Sequence, residues 1–296
     1  MPLTELMRPT RDLGATSGWD CPAPLRVIAV TSGKGGVGKS NIVANLGLAL
    51  ARQGLKVLLI DADLGLGNLD ILLGLTPRLT IYDVLSWHQP LAEAIVAGPE
   101  GLKILPASSG ISDLAELDDC QQICLLNELD HYTESLDLVL IDTGAGISRN
   151  VLFFNLASQE RIVVANNQPT SITDAYAMIK VLATRYGEKD FQLLVNGLNR
   201  PQEAESVYRT LVTVADRFLG PEVHLGYLGF IPYDDSVPAA VMRQQPVLTL
   251  YPQAPASKAF TQIAQRLWQT PPRGGLEGSI KFFWRRLCGP SPYATL

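Results

Sequence analysis

A chain of 296 residues that is 47% apolar and 18% charged holds enough apolar material for a large core, as one generous domain or two small ones. Few aromatic residues beside abundant Ala, Leu, Ile and Val favour an α/β protein over an all-β one. A net charge of −5, with no basic block in the body of the chain, argues against nonspecific nucleic-acid binding; no apolar run reaches the ~18–20 residues of a membrane-spanning helix.

Residues 1–25 carry prolines and no periodic apolar pattern, and are expected to form a tail. "RVIAVTS" (Arg26–Ser32) is a β-branched strand running into glycines, "NIVANLGLALARQG" (Asn41–Gly54) has helical periodicity, and "KVLLIDAD" (Lys56–Asp63) is a second apolar strand. That order is a βαβ unit with a parallel sheet. Further strands are expected at Leu102–Ser108, Leu136–Asp142, Arg161–Asn166, Phe191–Gly197 and Tyr227–Pro232. Helices are expected around Cys120–Thr133, Arg149–Leu156, Ser171–Tyr186, Glu203–Leu219 and Ala256–Gln269. Near-continuous apolar strands between helices imply a doubly wound, mostly parallel sheet with helices on both faces. The Pro- and Gly-rich run at Thr270–Ser279 reads as a linker, 271–279. It leads to a short segment, 280–288, and a last stretch, 289–296.

The four cysteines form no C-x-x-C pair; Cys120 and Cys124 stand one helical turn apart, which is what an ordinary helix face shows. The three histidines are scattered, and no metal site is read from them. No signal peptide is read, so the expected setting is cytoplasmic and reducing.

"GKGGVGKS" (Gly33–Ser40) satisfies G-x-x-x-x-G-K-[ST]. Glycines let backbone N–H groups converge on phosphate oxygens, Lys39 offsets β/γ charge, and the Ser40 hydroxyl is a Mg²⁺ ligand. The loop residues Gly33, Lys34, Gly35, Gly36, Val37, Gly38, Lys39, Ser40 and Asn41 are thus the candidate nucleotide contacts. The same letters match the weaker dinucleotide pattern G-x-G-x-x-G, but Lys-Ser after it favours a nucleoside triphosphate. A magnesium site needs a carboxylate at the end of a neighbouring strand. Asp142 in "LDLVLIDTGAGI" offers one, expected to hold the metal through water, with a helix N-cap as the plainer alternative. Asp63 in "DADLGLGNLD" is placed to orient an attacking water, or else belongs to a solvated acidic turn. Asp61 ends its strand and is given no further role.

"KGGVGKS" resembles the deviant phosphate loop of the MinD/ParA ATPases. "DADLGLGNLDILLGL", "GPEGLKILPASSGI", "QPTSITDAYAMIK" and "GFIPYDDSVPAAV" look like the FlhG/FleN branch of that family, MinD-like ATPases that regulate flagellar number. The resemblance spans roughly residues 26–287. It implies an ATPase domain over 26–270, with ATP and Mg²⁺ as cofactors and an ATP-dependent homodimer. It also implies that Lys34 reaches across the dimer to the partner's ATP; the plainer alternative is that Lys34 serves its own loop. It assigns water activation to Asp63, the magnesium shell to Asp142 and adenine reading to Asn196, with Pro232 and Asp234 beside the base. Pro169–Tyr176 would lie by the dimer face, or Thr170 or Ser171 would simply cap a helix. Partners implied by resemblance are the FlhF GTPase, a FleQ/FlrA-type transcriptional activator, or both. Two departures stand out. Gly144 follows Asp-Thr where relatives often have Ala, which should loosen that loop slightly. Met1–Pro24 shows no D-Q-A-x-x-L-R motif, which puts stimulation of the GTPase in doubt.

In "SIKFFWRRLCG" (Ser279–Gly289), Ile280, Phe283, Trp284 and Leu287 make one helical stripe, with Lys281, Arg285 and Arg286 largely off it. Apolar face plus cations is the pattern of a helix lying in an anionic membrane surface, and MinD-like ATPases carry a helix of this kind at that end. Burying the four side chains contributes at most ~6–12 kcal/mol gross, against a backbone ordering cost of ~1–2 kcal/mol per residue. One copy therefore binds weakly; two copies on a dimer gain ~10²–10⁴ by avidity. A helix packed on the protein's own core is the other reading, and the two are compatible.

The expected function is an ATP-driven dimerisation switch with slow hydrolysis, cytoplasmic and peripherally held at the inner face of the membrane, controlling flagellar biosynthesis and number. The alternatives are a MinD-type division-site ATPase, an iron–sulfur relative, which needs cysteines this chain lacks at a late C-x-x-C, and a nucleotide-binding scaffold without turnover.

Overall fold

The computed structural model describes residues 25–107, 116–132 and 135–270. The C-terminal segment, and with it the expected linker and membrane helix, lies outside the described residues, as do 1–24.

Chain order is β1 (Arg26–Ser32), α1 (Lys39–Ala51), β2 (Val57–Ala62), α2 (Leu69–Leu72), α3 (Ile81–Trp87), α4 (Leu91–Ala94), β3 (Val96–Ala97) and β4 (Lys103–Leu105). There follow α5 (Asp119–Tyr132), β5 (Leu138–Ala145), α6 (Arg149–Ala157), β6 (Glu160–Ala165), α7 (Pro169–Tyr186), β7 (Asp190–Leu198) and α8 (Pro201–Leu219). The described chain ends with β8 (His224–Pro232), α9 (Ser236–Val241), α10 (Val247–Leu250) and α11 (Pro255–Gln269).

One sheet runs β3-β4-β2-β5-β1-β6-β7-β8. Every neighbouring pair is parallel except β3–β4, so the expected doubly wound, mostly parallel sheet is what forms. Alternating side chains explain why both faces are covered. In β2, Val57 and Leu59 pack with α1, α10 and α11 residues, whereas Leu58 and Ile60 pack against α3, α5 and α6. Beyond β1, Val163, Leu193 and Val195 meet α7 and α8.

From β1 the chain winds one way to β2, and from β5 it winds the other way to β6. The reversal leaves a crevice at the carboxyl ends of β1 and β5, where open α/β sheets bind ligands. The phosphate loop opens into that crevice. Its helix α1 is held hard on the sheet: a Cβ on Gly47 would lie 2.6 Å from Leu59 Cδ2.

The expected strands and long helices form with shifted ends. Helices α7 and α8 begin at Pro169 and Pro201, two residues before expected, because proline's fixed φ suits the first helical turn. Strand β4 stops at Leu105, before Pro106, which has no N–H to offer the ladder. Short elements escaped periodicity altogether: α2, α3, α4, α9, α10 and the two-residue β3. Helix α3 did carry a local signal. Thr80 and Asp83 form a capping box, with the Thr80 N–H donating to Asp83 Oδ2 at 2.8 Å.

Candidate nucleotide-binding site

The loop between β1 and α1 turns on its glycines. Gly38 has φ 90°, and a side chain there would strike the Asn196 amide. A Cβ on Gly33 would collide with the backbone of Asp174 in α7. No side chain caps α1, so its first N–H groups remain available to an anion. Lys39, at the start of α1, is buried and lies 3.5 Å from Asp142 Oδ1.

Asp142 and Asp61 are register partners on adjacent strands. Both are 1% exposed. Burial pushes the Asp142 carboxyl up, the Lys39 ammonium and Ser40 hydroxyl beside it pull it down, and the charge of Asp63 pushes it up again; the net direction is upward. Neither Asp142 oxygen completes a hydrogen bond. A buried carboxylate with unspent acceptors beside a hydroxyl is a fitting donor set for a hard divalent cation. Asp142 and Ser40 thus suit Mg²⁺.

Asp61 is the residue that sequence reasoning passed over. Its Oδ2 accepts from the Leu69 N–H at 3.0 Å and its Oδ1 from the Asp63 N–H at 3.2 Å, so it shapes the loop that carries Asp63. Burial first, then the charge of Asp142, push it up to about 8, against those two backbone donors. The available signal was a carboxylate closing an apolar strand, the same signal that singled out Asp142.

Asp63 is half-buried and faces the loop after β5: its Oδ1 would lie 3.5 Å from a Cβ on Gly144. An alanine at 144 would therefore meet its neighbours at ordinary contact distance. Asp63, Asp142, Lys39 and Ser40 are brought to one place.

Lys34 is half-buried and turned toward its own chain. Its Nζ donates to Gln168 Oε1 at 2.8 Å and Thr170 Oγ1 at 2.9 Å, both at the start of α7. Thr170 thus holds a lysine, while Ser171 Oγ accepts from the Asn166 N–H at 3.1 Å.

Asn41, Asn196, Pro232 and Asp234 line one cleft of about 160 Å³, with Tyr233 and Phe260. Asn196 Nδ2 donates to the Val37 carbonyl at 2.7 Å, which ties the cleft to the phosphate loop and leaves the amide oxygen to accept. Asp234 is placed at the wall but its carboxylate is engaged, accepting from the Ser236 N–H at 2.9 Å and the Ala256 N–H at 3.0 Å. Burial alone would raise it; those donors hold it below the usual carboxylate range.

Because Asp61 holds its proton up to about pH 8 when folded and releases it near pH 4 when unfolded, the folded state binds the extra proton between those values. Stability of nucleotide-free protein is then fullest below about pH 4 on this group's account and declines as pH rises toward 8. Chemical denaturation across that window should show the decline, and Asp61→Asn should flatten it; an unchanged slope in Asp61→Asn would contradict the assignment.

The CobQ/CobB/MinD/ParA nucleotide binding domain matches residues 28–247. The chain is 44% identical over 264 residues to the antiactivator FleN of Pseudomonas aeruginosa, covering 89% of this chain and 94% of that one. It is 34% identical to the flagellum site-determining protein YlxH of Helicobacter pylori, over 88% of this chain and 89% of that one. Among solved structures, the septum site-determining protein MinD of Pyrococcus horikoshii, complexed with Mg-ADP, superimposes with a TM-score of 0.70 at 26% identity, covering 83% of this chain and 96% of that one. The chain belongs to the CobQ/CobB/MinD/ParA family of nucleotide-binding proteins, in the branch that holds FleN and YlxH.

Proposed function

We propose that this chain is an ATP-dependent dimerisation switch with slow hydrolysis that regulates flagellar biosynthesis, number and placement. ATP and Mg²⁺ are its cofactors. The observation that carries the reading is the position of Lys34: a cation at the rim of the phosphate loop, held by two neutral acceptors, Gln168 and Thr170, and by no carboxylate. Neutral hydrogen bonds at a half-buried rim are exchanged for a stronger, charge-assisted bond to phosphate when one is presented. A partner's γ-phosphate presents one only while ATP is bound.

In this reading α1 and the loop cradle the phosphates and Lys39 offsets β/γ charge. Ser40 and Asp142 would hold Mg²⁺, which would supply charge neutralisation for the phosphates. Asp63 orients the water that attacks the γ-phosphorus as the bond to the β-phosphate oxygen breaks, giving ADP and phosphate. Lys34 of the other subunit stabilises the charge that develops. The cleft at Asn196 and Pro232 receives the adenine, with Asp234 bracing its wall.

The relatives support the output: an antiactivator suggests a FleQ/FlrA-type transcriptional activator as target, and a flagellum site-determining protein suggests placement. FlhF is a further partner by resemblance. Two substitutions separate the roles. Lys34→Ala should bind ATP yet stay monomeric in sedimentation, whereas Asp63→Ala should dimerise in ATP and release little phosphate. An intact ATP dimer of Lys34→Ala would refute the cross-subunit contact, and parental turnover in Asp63→Ala would refute the water-positioning role.

Membrane attachment rests on the Ile280, Phe283, Trp284 and Leu287 stripe; among the described residues no helix is long and apolar enough to cross a membrane. Paired stripes on an ATP dimer bind an anionic surface reversibly. Trp284→Glu should abolish co-flotation with anionic vesicles at unchanged ATP affinity; flotation equal to the parent would count against the helix.

A further inference from the structure

Beneath the phosphate end of the sheet lies a polar cluster sealed from water. Thr31 on β1, Thr143 on β5 and Asn155 on α6 are each 0% exposed. Thr143 Oγ1 lies 3.1 Å from the Val30 carbonyl oxygen, 3.1 Å from Thr31 Oγ1 and 3.0 Å from the Gly144 carbonyl oxygen. Asn155 Nδ2 donates to Thr31 Oγ1 at 3.2 Å and to the Val151 carbonyl at 2.8 Å. The surrounding strands are mostly apolar, and buried hydroxyl and amide groups there are unfavourable unless they hold one another.

The cluster sits where β5 leaves the regular ladder. Val30 pairs with Asp142, but Ser32 pairs with Ala145, so β5 carries one residue more than β1 across this step. Such a bulge bends the strand and re-aims a neighbouring side chain. Here the residue before the bulge is Asp142. Thr143 ties the bulge to β1, and Asn155 ties α6, beyond the loop, to the same Thr31 hydroxyl. The end of β5 and the helix that follows its loop are therefore both fastened to a strand residue two places before Gly33.

We propose that Thr143, anchored by Thr31 and Asn155, is a positioning residue that sets the Asp142 carboxylate for Mg²⁺. The proposal rests on the reading of Asp142 as the metal carboxylate. Thr143 touches neither nucleotide nor metal; it fixes the backbone from which Asp142 projects. Valine has nearly the shape of threonine and lacks the hydroxyl, so Thr143→Val releases the bulge while filling the same space. Serine keeps the donor.

The test is binding of a fluorescent ADP to the full chain, titrated with Mg²⁺. Thr143→Val should raise the Mg²⁺ concentration at half-saturation by about 10–100-fold, the range for outer-shell partners of a metal ligand. It should leave ADP affinity in chelator unchanged, and Thr143→Ser should restore the parental Mg²⁺ value. A folded Thr143→Val with the parent's Mg²⁺ dependence overturns the positioning role alone, as does a serine variant as impaired as the valine one. Should Thr143→Val not fold, Thr31→Val carries the same expectation and the same refutation. A parent whose ADP affinity ignores Mg²⁺ overturns the metal reading of Asp142 and this proposal with it.

Discussion

Two carboxylates buried side by side on adjacent strands dominate the phosphate end of this protein. Asp61 and Asp142 are register partners, and Asp142 lies 3.5 Å from one buried lysine, Lys39. Like charges at close range in a low dielectric oppose each other's ionisation: burial and the charge of Asp142 push the Asp61 carboxyl up to about 8, and burial raises Asp142 despite the Lys39 ammonium beside it. A sheet that simply needed to be stable would place apolar side chains there, since a buried ion pair is seldom more stabilising than its hydrophobic replacement. The arrangement suits the proposed receptacle for a Mg²⁺-bearing polyphosphate, in which the phosphates would meet the start of α1 and Lys39 and the metal would meet Asp142 and Ser40.

The same geometry links occupancy to the surface. Asp61 shapes the loop carrying Asp63, and Asp63 packs toward Gly144 in the loop after β5. Gly33 abuts α7, whose first residues hold Lys34. The loops proposed to sense phosphate thus stand in contact with one another and with the lysine proposed to reach a second subunit. Coupling of this kind needs no long-range pathway; the elements touch.

Much of this was legible in the letters. Alternating buried strands announced the doubly wound sheet, and "GKGGVGKS" announced the phosphate loop, because few residue types can make that turn and bind that charge. Asp142 was readable as the carboxylate closing the strand beside it. What could not be read depended on contacts distant in sequence. Asp61 looked like an ordinary strand end until its pairing with Asp142 placed two carboxylates together. Asp234 carried no sign that the backbone of Ala256, at the start of α11, would claim its oxygen. The alliance of Thr31, Thr143 and Asn155 joins three elements and leaves no local pattern, and short helices such as α2 and α4 make too few turns for a periodic signal.

The measurement that bears most directly on the paired carboxylates is calorimetry of Mg²⁺-ADP binding at pH 7 in buffers of different ionisation enthalpy. If the site holds protons that a cation displaces, the observed heat will vary with buffer and report net proton release on binding. A heat of binding that is the same in every buffer would contradict the account.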